Sequence, residues 1–363
     1  MSITTLFGSE GIITRAQDAG RKTAEAKQNE QAFLDYAEDL LDNLGGNPVL
    51  AGKIADAGLP PETISSLVDV VDGVPIPKKF TVSTIPTEQT KAGGLVIIDN
   101  KGNEFVWVPV EDLTADGTRD GVTAVKFGRR TFGRSDSLGG TTQVADKYTE
   151  DLQEESDLVI SVAKYGGFYI ARYEASYVDG KVASKPSTTA TYDTWVATNG
   201  RLWNYVSQTA AATACENMYS SDAKVVGHLP YGAEWDSTLQ WFKQTVFSNS
   251  NTAIGSYSSG WGNYQEIEFT YGPSSTSKSS GAPTLINTGE VTDPPYRHRV
   301  NNIYDIAGNL MEWTQERYGT DTVRALRGGT CFYNDEGNSE PAAVRSKTYS
   351  NDVVGFRPAI YIK

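Results

Sequence analysis

Hydrophobic positions near the N-terminus recur at helical spacing. Between residues 33 and 44 they fall three or four positions apart, as on one face of a helix: Phe33, Tyr36, Ala37, Leu40, Leu41 and Leu44. The surrounding sequence is rich in Ala, Glu, Lys and Gln, which are strong helix formers. Gly45-Gly46 then ends the predicted helix.

A second helix is predicted over residues 60–73, opened by Pro61 and closed by Gly73. Residues 1–75 contain no Trp and few large apolar side chains, so we do not expect them to fold alone. We expect residues 1–78 to be a helical module and linker that packs against copies of itself or a larger assembly. The alternative is a small helical cap.

From residue 79 the pattern becomes that of β-strands. The segment "GLVIIDNKGNEFVWVPV" (94–110) predicts two strands joined by a tight turn, and "GGFYIARYEASYV" (166–178) predicts another. The chain ends in a predicted strand, "GFRPAIYIK" (355–363). Residues 111–157 and 248–290 are polar and rich in Gly, Ser, Thr or Asp, which favours long insertions without regular structure.

Two helices are predicted within the β-rich region. The apolar face of the first, over 205–220, comprises Val206, Ala210, Ala214 and Met218 with Cys215 beside it. That of the second, over 231–247, comprises Trp235, Leu239, Phe242 and Val246. The predicted fold class is therefore α+β: a loop-rich domain over 79–363 with short sheets and two helices, preceded by the helical module.

Composition narrows the classes of function. The chain has 363 residues, a net charge of −13 and a pI of about 4.7. An acidic chain of this kind is a poor partner for nucleic acid or an anionic membrane surface, because both require clustered Lys and Arg. No segment has the roughly 18 consecutive apolar residues of a membrane span, and "MSITTLFGSEGII" does not resemble a signal peptide. We therefore expect synthesis in the cytoplasm and no membrane insertion.

Histidine and cysteine are scarce. The chain has two of each: His228, His298, Cys215 and Cys331. Two cysteines do not make a disulfide framework, although a Cys215–Cys331 bridge is possible. A serine triad lacks a suitable base, since His298 lies in "PPYRHRV" without a motif around it. We interpret it as an ordinary loop histidine.

Six short motifs stand in a fixed order along the chain. They are "FVWVP" (105–109), "GGFYIARYEAS" (166–176), "HLPYGAEWD" (228–236), "NNIYDIAGNLMEWTQERY" (301–318), "RALRGGT" (324–330) and "VGFRPAI" (354–360). Together they resemble the formylglycine-generating-enzyme/sulfatase-modifying-factor family, a variant of the C-type lectin fold. The resemblance covers residues 80–363 and implies that fold. Most of these motif residues are expected to be scaffold, with Arg357 pairing with Glu312 or Glu234.

The enzymes of that family need metal ligands that this chain lacks. The formylglycine-generating members use a cysteine pair that binds copper, and thiolates are soft ligands suited to Cu(I). Here only Cys331 follows the "RGG" turn. The sulfoxide-forming relatives hold iron with three histidines, and this chain has two. We expect neither copper nor iron, and no enzymatic activity.

The resemblance also implies a structural calcium ion around the "AGNLMEW" turn. Carried over to this chain, its ligands are the side chains of Asp305 and Glu312 and the backbone carbonyls of Gly308 and Leu310. Calcium takes six to eight oxygen ligands from such mixed sources. The alternative is that Glu312 pairs with a buried arginine, such as Arg327 or Arg357.

Between the "RGG" and "GFR" strands the sequence is dense in Tyr, Ser, Asn and Asp, a mixture that suits recognition surfaces. The predicted ligand-binding residues are Thr330, Cys331, Phe332, Tyr333, Asn334, Asp335, Asn338, Ser346, Thr348, Tyr349, Ser350 and Asn351. We predict that they form a row of exposed positions. This interval is where the related variable proteins of diversity-generating retroelements carry their diversified positions. If it is diversified here, Glu336 and Lys347 would be fixed.

These observations lead to one functional hypothesis and two alternatives. The hypothesis is a non-enzymatic phage or prophage protein on the virion surface, released by lysis. It would bind a host cell-surface protein or glycan, assemble as a homo-oligomer, and contact other virion proteins through residues 1–75. The alternatives are a capsid or tail decoration protein without a receptor role, and a metal-dependent oxygenase relative.

Overall fold

The computed structural model of the chain describes most of its C-terminal three quarters. The described residues are 68–110, 118–119, 122–123, 127–130, 132, 148–149, 156–193, 195–222, 224–255, 261–272, 275–290, 298–318, 320–332, 344–347 and 351–363. The chain divides into two units, Met1–Val68 and Asp69–Lys363, and every described residue except Val68 belongs to the second. The predicted helix around residues 33–44 lies outside the described residues.

Short strands dominate the described residues. In chain order they are β1 (Val68–Val71), β2 (Val74–Pro77), β3 (Thr81–Val82), β4 (Val96–Ile98), β5 (Glu104–Pro109), β6 (Thr118–Arg119), β7 (Val122–Thr123), β8 (Tyr148–Thr149), β9 (Gly167–Ala171), β10 (Ser176–Val178), β11 (Lys181–Ala183), β12 (Arg201–Leu202), β13 (Val225–His228), β14 (Phe269–Tyr271), β15 (Thr276–Lys278), β16 (Arg299–Val300), β17 (Ile303–Tyr304), β18 (Met311–Tyr318), β19 (Thr320–Arg327), β20 (Val344–Lys347), β21 (Val354–Gly355) and β22 (Ala359–Ile362). The helices are α1 (Ser156–Tyr165), α2 (Gln208–Met218), α3 (Gly232–Thr245) and α4 (Asn251–Gly255). A 3-10 turn spans Pro86–Glu88. This is a loop-rich α+β arrangement, as the sequence pattern predicts.

The largest sheet forms the apolar centre of the domain. Its six strands run in the order β13-β22-β9-β5-β4-β3, and each neighbouring pair is antiparallel. The central strands are continuous apolar runs, "FVWVP" in β5 and "GFYIA" in β9, and both are buried along their length. Runs of this kind are typical of strands covered on both faces. Here α1 packs against β9 and β22, and α3 packs against β5.

A second sheet carries the last motifs of the series. β18, β19 and β20 are antiparallel neighbours, β21 pairs with β18 in parallel, and β8 pairs with the far end of β18. The turn before β18 depends on Gly308, whose φ is +75°. A Cβ at this position would lie 2.2 Å from the Asn263 carbonyl oxygen, so only glycine fits. This turn brings Asn309 and Leu310 into the core.

The structure corrects the prediction for residues 60–78. Val68–Val71 is a strand, not the end of a helix, and it pairs with β2 in a two-stranded hairpin. Val74 and Ile76 in β2 are buried. The "linker" therefore includes part of the folded domain, because its alternating apolar residues have a core to pack against.

Both predicted helices of the β-rich region are confirmed. The buried face of α2 is shifted from the predicted one, and the buried face of α3 is wider than predicted. In α2 the buried residues are Gln208, Ala211 and Cys215, while Ala210 is exposed. In α3 the buried set runs from Gly232 to Leu239 without a break and includes Glu234 and Asp236. The pattern alone would place those two carboxylates in solvent.

The polar segment 248–290 also differs from its prediction. The structure places α4 and the β14–β15 hairpin there, where the sequence suggests an irregular excursion. Phe269 of β14 is buried and its ring packs on His298, with ring centroids 4.2 Å apart. His298 is therefore a buried residue, not an ordinary loop histidine. No helix of the described part is both long and apolar enough to cross a bilayer.

Candidate functional site

The start of the predicted ligand-binding interval lies inside the protein. After β19, Gly328 and Gly329 have φ values of +88° and +74° and turn the chain inward. As a result Thr330 and Cys331 are fully buried. The Thr330 hydroxyl and the Cys331 amide both donate to the Asn309 carbonyl, at 3.0 and 3.2 Å. The prediction that these two residues are exposed ligand contacts is wrong.

Cys331 is a protected thiol. Its Sγ lies 3.4 Å from the Tyr192 hydroxyl and 3.8 Å from the Thr330 hydroxyl. Burial raises the pKa of the Cys331 thiol to about 11, so it is not a thiolate nucleophile at neutral pH. Cys215 is also buried and free, and burial holds its pKa well above the usual value. The two cysteines therefore form no disulfide.

The chain reaches the surface at Phe332. This side chain is 37% exposed, and its ring packs edge-on against Tyr192 with the centroids 4.9 Å apart. The Tyr205 hydroxyl donates to the Tyr192 carbonyl at 2.8 Å, and the Tyr205 amide donates to the Asn351 carbonyl at 3.1 Å. We call the surface formed by Tyr192, Tyr205, Phe332 and Asn351 the aromatic face. It joins both ends of the predicted interval to the segment 191–205.

Tyr205 has an unusual backbone conformation. Its φ is +55°, in the left-handed region that a bulky aromatic residue seldom occupies. Neighbouring hydrogen bonds hold the segment in place: the Asn204 side chain donates to the carbonyls of Asp352 and Thr191 at 2.7 and 2.9 Å. Strained conformations that the surroundings enforce cluster at functional sites. The strained backbone of Tyr205 therefore supports the aromatic face as a candidate functional site.

The remaining predicted ligand residues are only partly covered by the structure. Ser346 lies in β20, where it pairs with Ala325 of β19. Asn351 is half-buried, and its side-chain oxygen accepts from the Val353 amide at 3.3 Å. The residues that lie outside the described ranges are Tyr333, Asn334, Asp335, Asn338, Thr348, Tyr349 and Ser350. Their exposure stays a prediction.

The predicted calcium ligands lie around a buried ion pair. The Arg357 guanidinium donates to both carboxylate oxygens of Glu312, at 2.6 and 2.7 Å. The same guanidinium donates to the carbonyls of Tyr304 and Ala171. Asp305 accepts from the Thr288 hydroxyl at 2.8 Å. The structure thus shows the alternative in which Glu312 pairs with an arginine, and calcium at Asp305, Gly308, Leu310 and Glu312 stays an untested prediction.

Sequence reasoning missed a third carboxylate at this place, Glu174. Its oxygens accept from the Leu310 amide at 3.0 Å and from the Asn309 side-chain amide at 2.5 Å. Burial, and then the charges of Asp305 and Glu312, hold the pKa of Glu174 well above its usual range. Burial also raises the pKa of Asp305 to about 7. We call Glu174, Asp305, Glu312 and Arg357 the acidic network, since three carboxyls face one guanidinium.

A second buried cluster has matched charges. Arg327 donates twice to Glu316, at 2.7 and 2.8 Å, and lies 3.1 Å from Asp236. Arg129 binds the same two carboxylates, at 3.1 Å to Asp236 and 2.5 Å to Glu316. Burial raises the pKa of Glu316, but the charges of Arg129 and Arg327 outweigh it and hold the value at about 2. We call these four residues the balanced network.

The histidines also have structural partners. His228 hydrogen-bonds through Nε2 to both oxygens of Glu234, at 2.8 and 3.0 Å. Glu234 in turn accepts from the Tyr231 amide at 2.9 Å, at the start of α3. Within the described ranges, no group of three or more His, Cys, Asp or Glu side chains is placed to hold a metal ion.

The aromatic face could be found from the sequence only in part. Phe332 and Asn351 lie in the Tyr/Asn/Ser-rich interval that the composition marks. Tyr192 and Tyr205 lie about 130 residues earlier in the chain, outside the six motifs. No spacing rule connects them to Phe332. Only the ring packing and hydrogen bonds of the folded chain bring these residues together.

Comparisons with known proteins give fold-level likenesses only. No protein-family profile matches the chain, and no curated protein matches it. Among solved structures, the chain is similar to the crystal structure of CarF, with 15% identity, a TM-score of 0.38, and coverage of 54% of this chain and 87% of that one. Treponema denticola variable protein 1 matches with 14% identity, a TM-score of 0.30, and coverage of 53% and 84%.

The structure of PvdO from Pseudomonas aeruginosa matches with 13% identity, a TM-score of 0.40, and coverage of 73% of this chain and 97% of that one. All three TM-scores lie below 0.5, so we base no assignment of family, ligand or activity on them.

Proposed function

We propose that this protein is a non-enzymatic ligand-binding protein of a phage or prophage virion, with a C-type-lectin-like domain that recognises a host cell-surface protein or glycan. In this proposal the aromatic face and the neighbouring segments 333–343 and 348–350 form the recognition surface. Residues 1–75 dock the domain to other virion proteins and assemble it as a homo-oligomer. The C-type-lectin-like assignment rests on the order of the six sequence motifs.

The observation that carries the proposal is the convergence of aromatic residues at the ends of the interval. Tyr192, Tyr205 and Phe332 come together from two distant parts of the sequence, and Tyr205 is held in a strained conformation. Aromatic side chains provide a large contact area at little cost in rotamer entropy, and they are enriched in binding hot spots. A face built this way suits recognition of a macromolecular surface.

The support beneath this face is rigid, which is what a variable recognition surface needs. Thr330 and Cys331 anchor one end of the interval to Asn309, and Asn351 anchors the other end through the Tyr205 amide. A pre-organised support reduces the entropy lost on binding. Side chains between the two anchors can then change without changing the scaffold.

The test is the adsorption of the labelled full chain to host cells, measured by flow cytometry. Phe332→Ser, Tyr333→Ser and Tyr349→Ser, combined in one variant, should weaken adsorption by more than about tenfold, because each removes an aromatic contact of hot-spot type. Ile85→Ser is the matched control: Ile85 is 51% exposed but lies before the 3-10 turn, in another part of the domain. This control should adsorb like the parent chain.

Adsorption of the triple variant at the parent level, with its near-UV circular dichroism unchanged, would contradict the proposal. If the parent chain does not adsorb at all and particles lose stability without it, a decoration role is favoured instead. Oxygen consumption by the purified chain that depends on copper or iron would favour the oxygenase alternative.

A further inference from the structure

A concave pocket lies on a part of the domain that the recognition surface does not use. It has a volume of about 450 Å³ and is formed by the β10–β11 hairpin, helix α2 and the turn before β5. Apolar side chains line its interior: Val182, Ala183, Trp203, Ala214 and Met218. A volume of this size falls within the range of small-molecule sites in proteins.

Three lysines surround this apolar interior. Lys101 comes from the turn before β5, Lys181 from the start of β11, and Lys185 from the segment after it. None of the three ammonium groups has an ion-pair partner among the described residues. In a chain with 45 acidic and 32 basic residues, three such amines around one pocket are an uncommon local excess of positive charge.

The one carboxylate that lines the pocket has its own partner. Asp179, at the tip of the β10–β11 hairpin, accepts from the Asn199 side-chain amide at 2.6 Å, and its backbone amide donates back to the Asn199 side chain at 2.8 Å. With three lysines and one aspartate, the lining carries a net positive charge. This charge would attract an anion and orient it at the rim.

The pocket walls are fixed by regular structure. β10 and β11 pair in register from Ser176↔Ala183 to Val178↔Lys181. Asn103 is buried; its side chain donates to Asp99 at 2.8 Å and accepts from the Ser184 amide at 3.1 Å, which links the turn to β11. Trp203 packs edge-on against Phe356 of the core, with centroids 5.4 Å apart. The shape is therefore preformed, as in most ligand sites.

We propose that this pocket binds a small organic anion: a carboxylate or phosphate group attached to an apolar ring or short apolar body. The apolar body would occupy the interior beside Trp203 and Met218, while Lys101, Lys181 and Lys185 hold the anionic group at the rim. This site is separate from the aromatic face and does not depend on it.

The test is isothermal titration of the full chain with three matched probes. Phenyl phosphate and phenylacetate carry the two candidate anionic groups on the same ring, and benzyl alcohol is their neutral counterpart. We expect at least one anion to bind in the micromolar to millimolar range, and benzyl alcohol to bind at least about tenfold more weakly, since one charge-assisted hydrogen bond is worth about that factor. The difference between the two anions identifies which group the lysines prefer.

Substitution of the three lysines tests whether the anion binds in this pocket. The combined change Lys101→Gln, Lys181→Gln and Lys185→Gln should weaken anion binding by about tenfold or more. Lys243→Gln, on helix α3 and outside the pocket, should leave it unchanged. Absence of binding by both anions, equal binding of benzyl alcohol, or full retention of binding in the triple lysine variant would each overturn the proposal.

Discussion

The two networks of buried carboxyls differ in the ratio of carboxyls to guanidinium groups, and we expect that ratio to decide how much stability each loses when a charged residue is replaced. In the balanced network two arginines face Asp236 and Glu316, and the pKa of Glu316 stays at about 2. In the acidic network Arg357 is the one guanidinium that faces three carboxyls, with His298 Nδ1 lying 3.8 Å from Asp305, and the pKa of Glu174 rises well above its usual range. The carboxyls of both networks are buried, so we attribute the difference in their pKa values to the charge balance.

The comparison indicates different roles for the two clusters. Glu316 and Arg327 both belong to the second sheet, and their network ties that sheet to α3 through Asp236. The acidic network lies beneath the turn that carries Asn309, which anchors Thr330 and Cys331. A change in the charge balance there would act on Asn309, which supports one end of the proposed recognition surface.

Removing the one guanidinium of the acidic network should have the largest effect. Arg357→Met leaves Glu312 buried without its partner and also removes the donors to the Tyr304 and Ala171 carbonyls. We expect the free energy of unfolding to fall by about 3–5 kcal/mol, the usual cost of breaking a buried pair. Urea unfolding at neutral pH measures it.

A second variant separates the charge from the lost hydrogen bonds. Arg357→Met combined with Glu312→Leu replaces the pair by apolar groups and should recover part of the loss, because no carboxylate of the pair is left unpaired. Recovery should stay incomplete, since the Tyr304 and Ala171 carbonyls still lack the hydrogen bonds that Arg357 donates. A double variant as unstable as Arg357→Met would show that charge balance is not the cause.

The same change in the balanced network should cost less. Arg327→Met leaves Arg129, which still binds both Asp236 and Glu316. We expect a loss of about 2–3 kcal/mol in the same urea experiment, below the 3–5 kcal/mol that a broken buried pair usually costs. A loss larger than that of Arg357→Met would contradict the proposed difference between the networks.

The sequence predicts the apolar sheet well and these networks only in part, for a physical reason. The continuous runs of β5 and β9 can only be buried, so their strands are predictable from the pattern. In β18, "MEWTQERY", the motif series predicts that Glu312 pairs with an arginine, but Glu316 lies between the polar residues Gln315 and Arg317, and no pattern predicts that it is buried. Both carboxylates are buried, because Arg357 binds Glu312, and Arg327 and the distant Arg129 bind Glu316. Long-range compensation of this kind has no local signature.

The sequence also predicts the candidate site only in part. The composition of residues 330–351 predicts a recognition interval, and the structure places Phe332 and Asn351, near its two ends, at one face. The sequence does not predict that Thr330 and Cys331 turn inward, because that depends on the buried Asn309 carbonyl as an acceptor. It also does not predict Tyr192 and Tyr205, which join the face only through tertiary contacts.

The smallest expected effect is a difference in pH dependence between the two networks. Glu316, with its pKa lowered to about 2, contributes stability that is present above its usual value of 4.5 and is lost as the pH falls toward 2. Asp305, with its pKa raised to about 7, does the opposite: its folded form keeps a proton that the unfolded chain releases above 3.8. Asp305 therefore makes the protein less stable as the pH rises toward 7.

The variant Asp305→Asn isolates the loss of stability with rising pH that comes from Asp305. Asn is nearly isosteric, can still accept from the Thr288 hydroxyl, and tolerates the left-handed conformation of residue 305, whose φ is +56°. The parent chain should lose on the order of 1–2 kcal/mol between about pH 5 and pH 7 from this network, and Asp305→Asn should lose less. Urea unfolding in the presence of EDTA measures this without a bound cation, and Asp157→Asn, on the exposed start of α1, controls for net charge. Equal slopes for the parent and Asp305→Asn would show that the three carboxyls are compensated by groups other than Arg357.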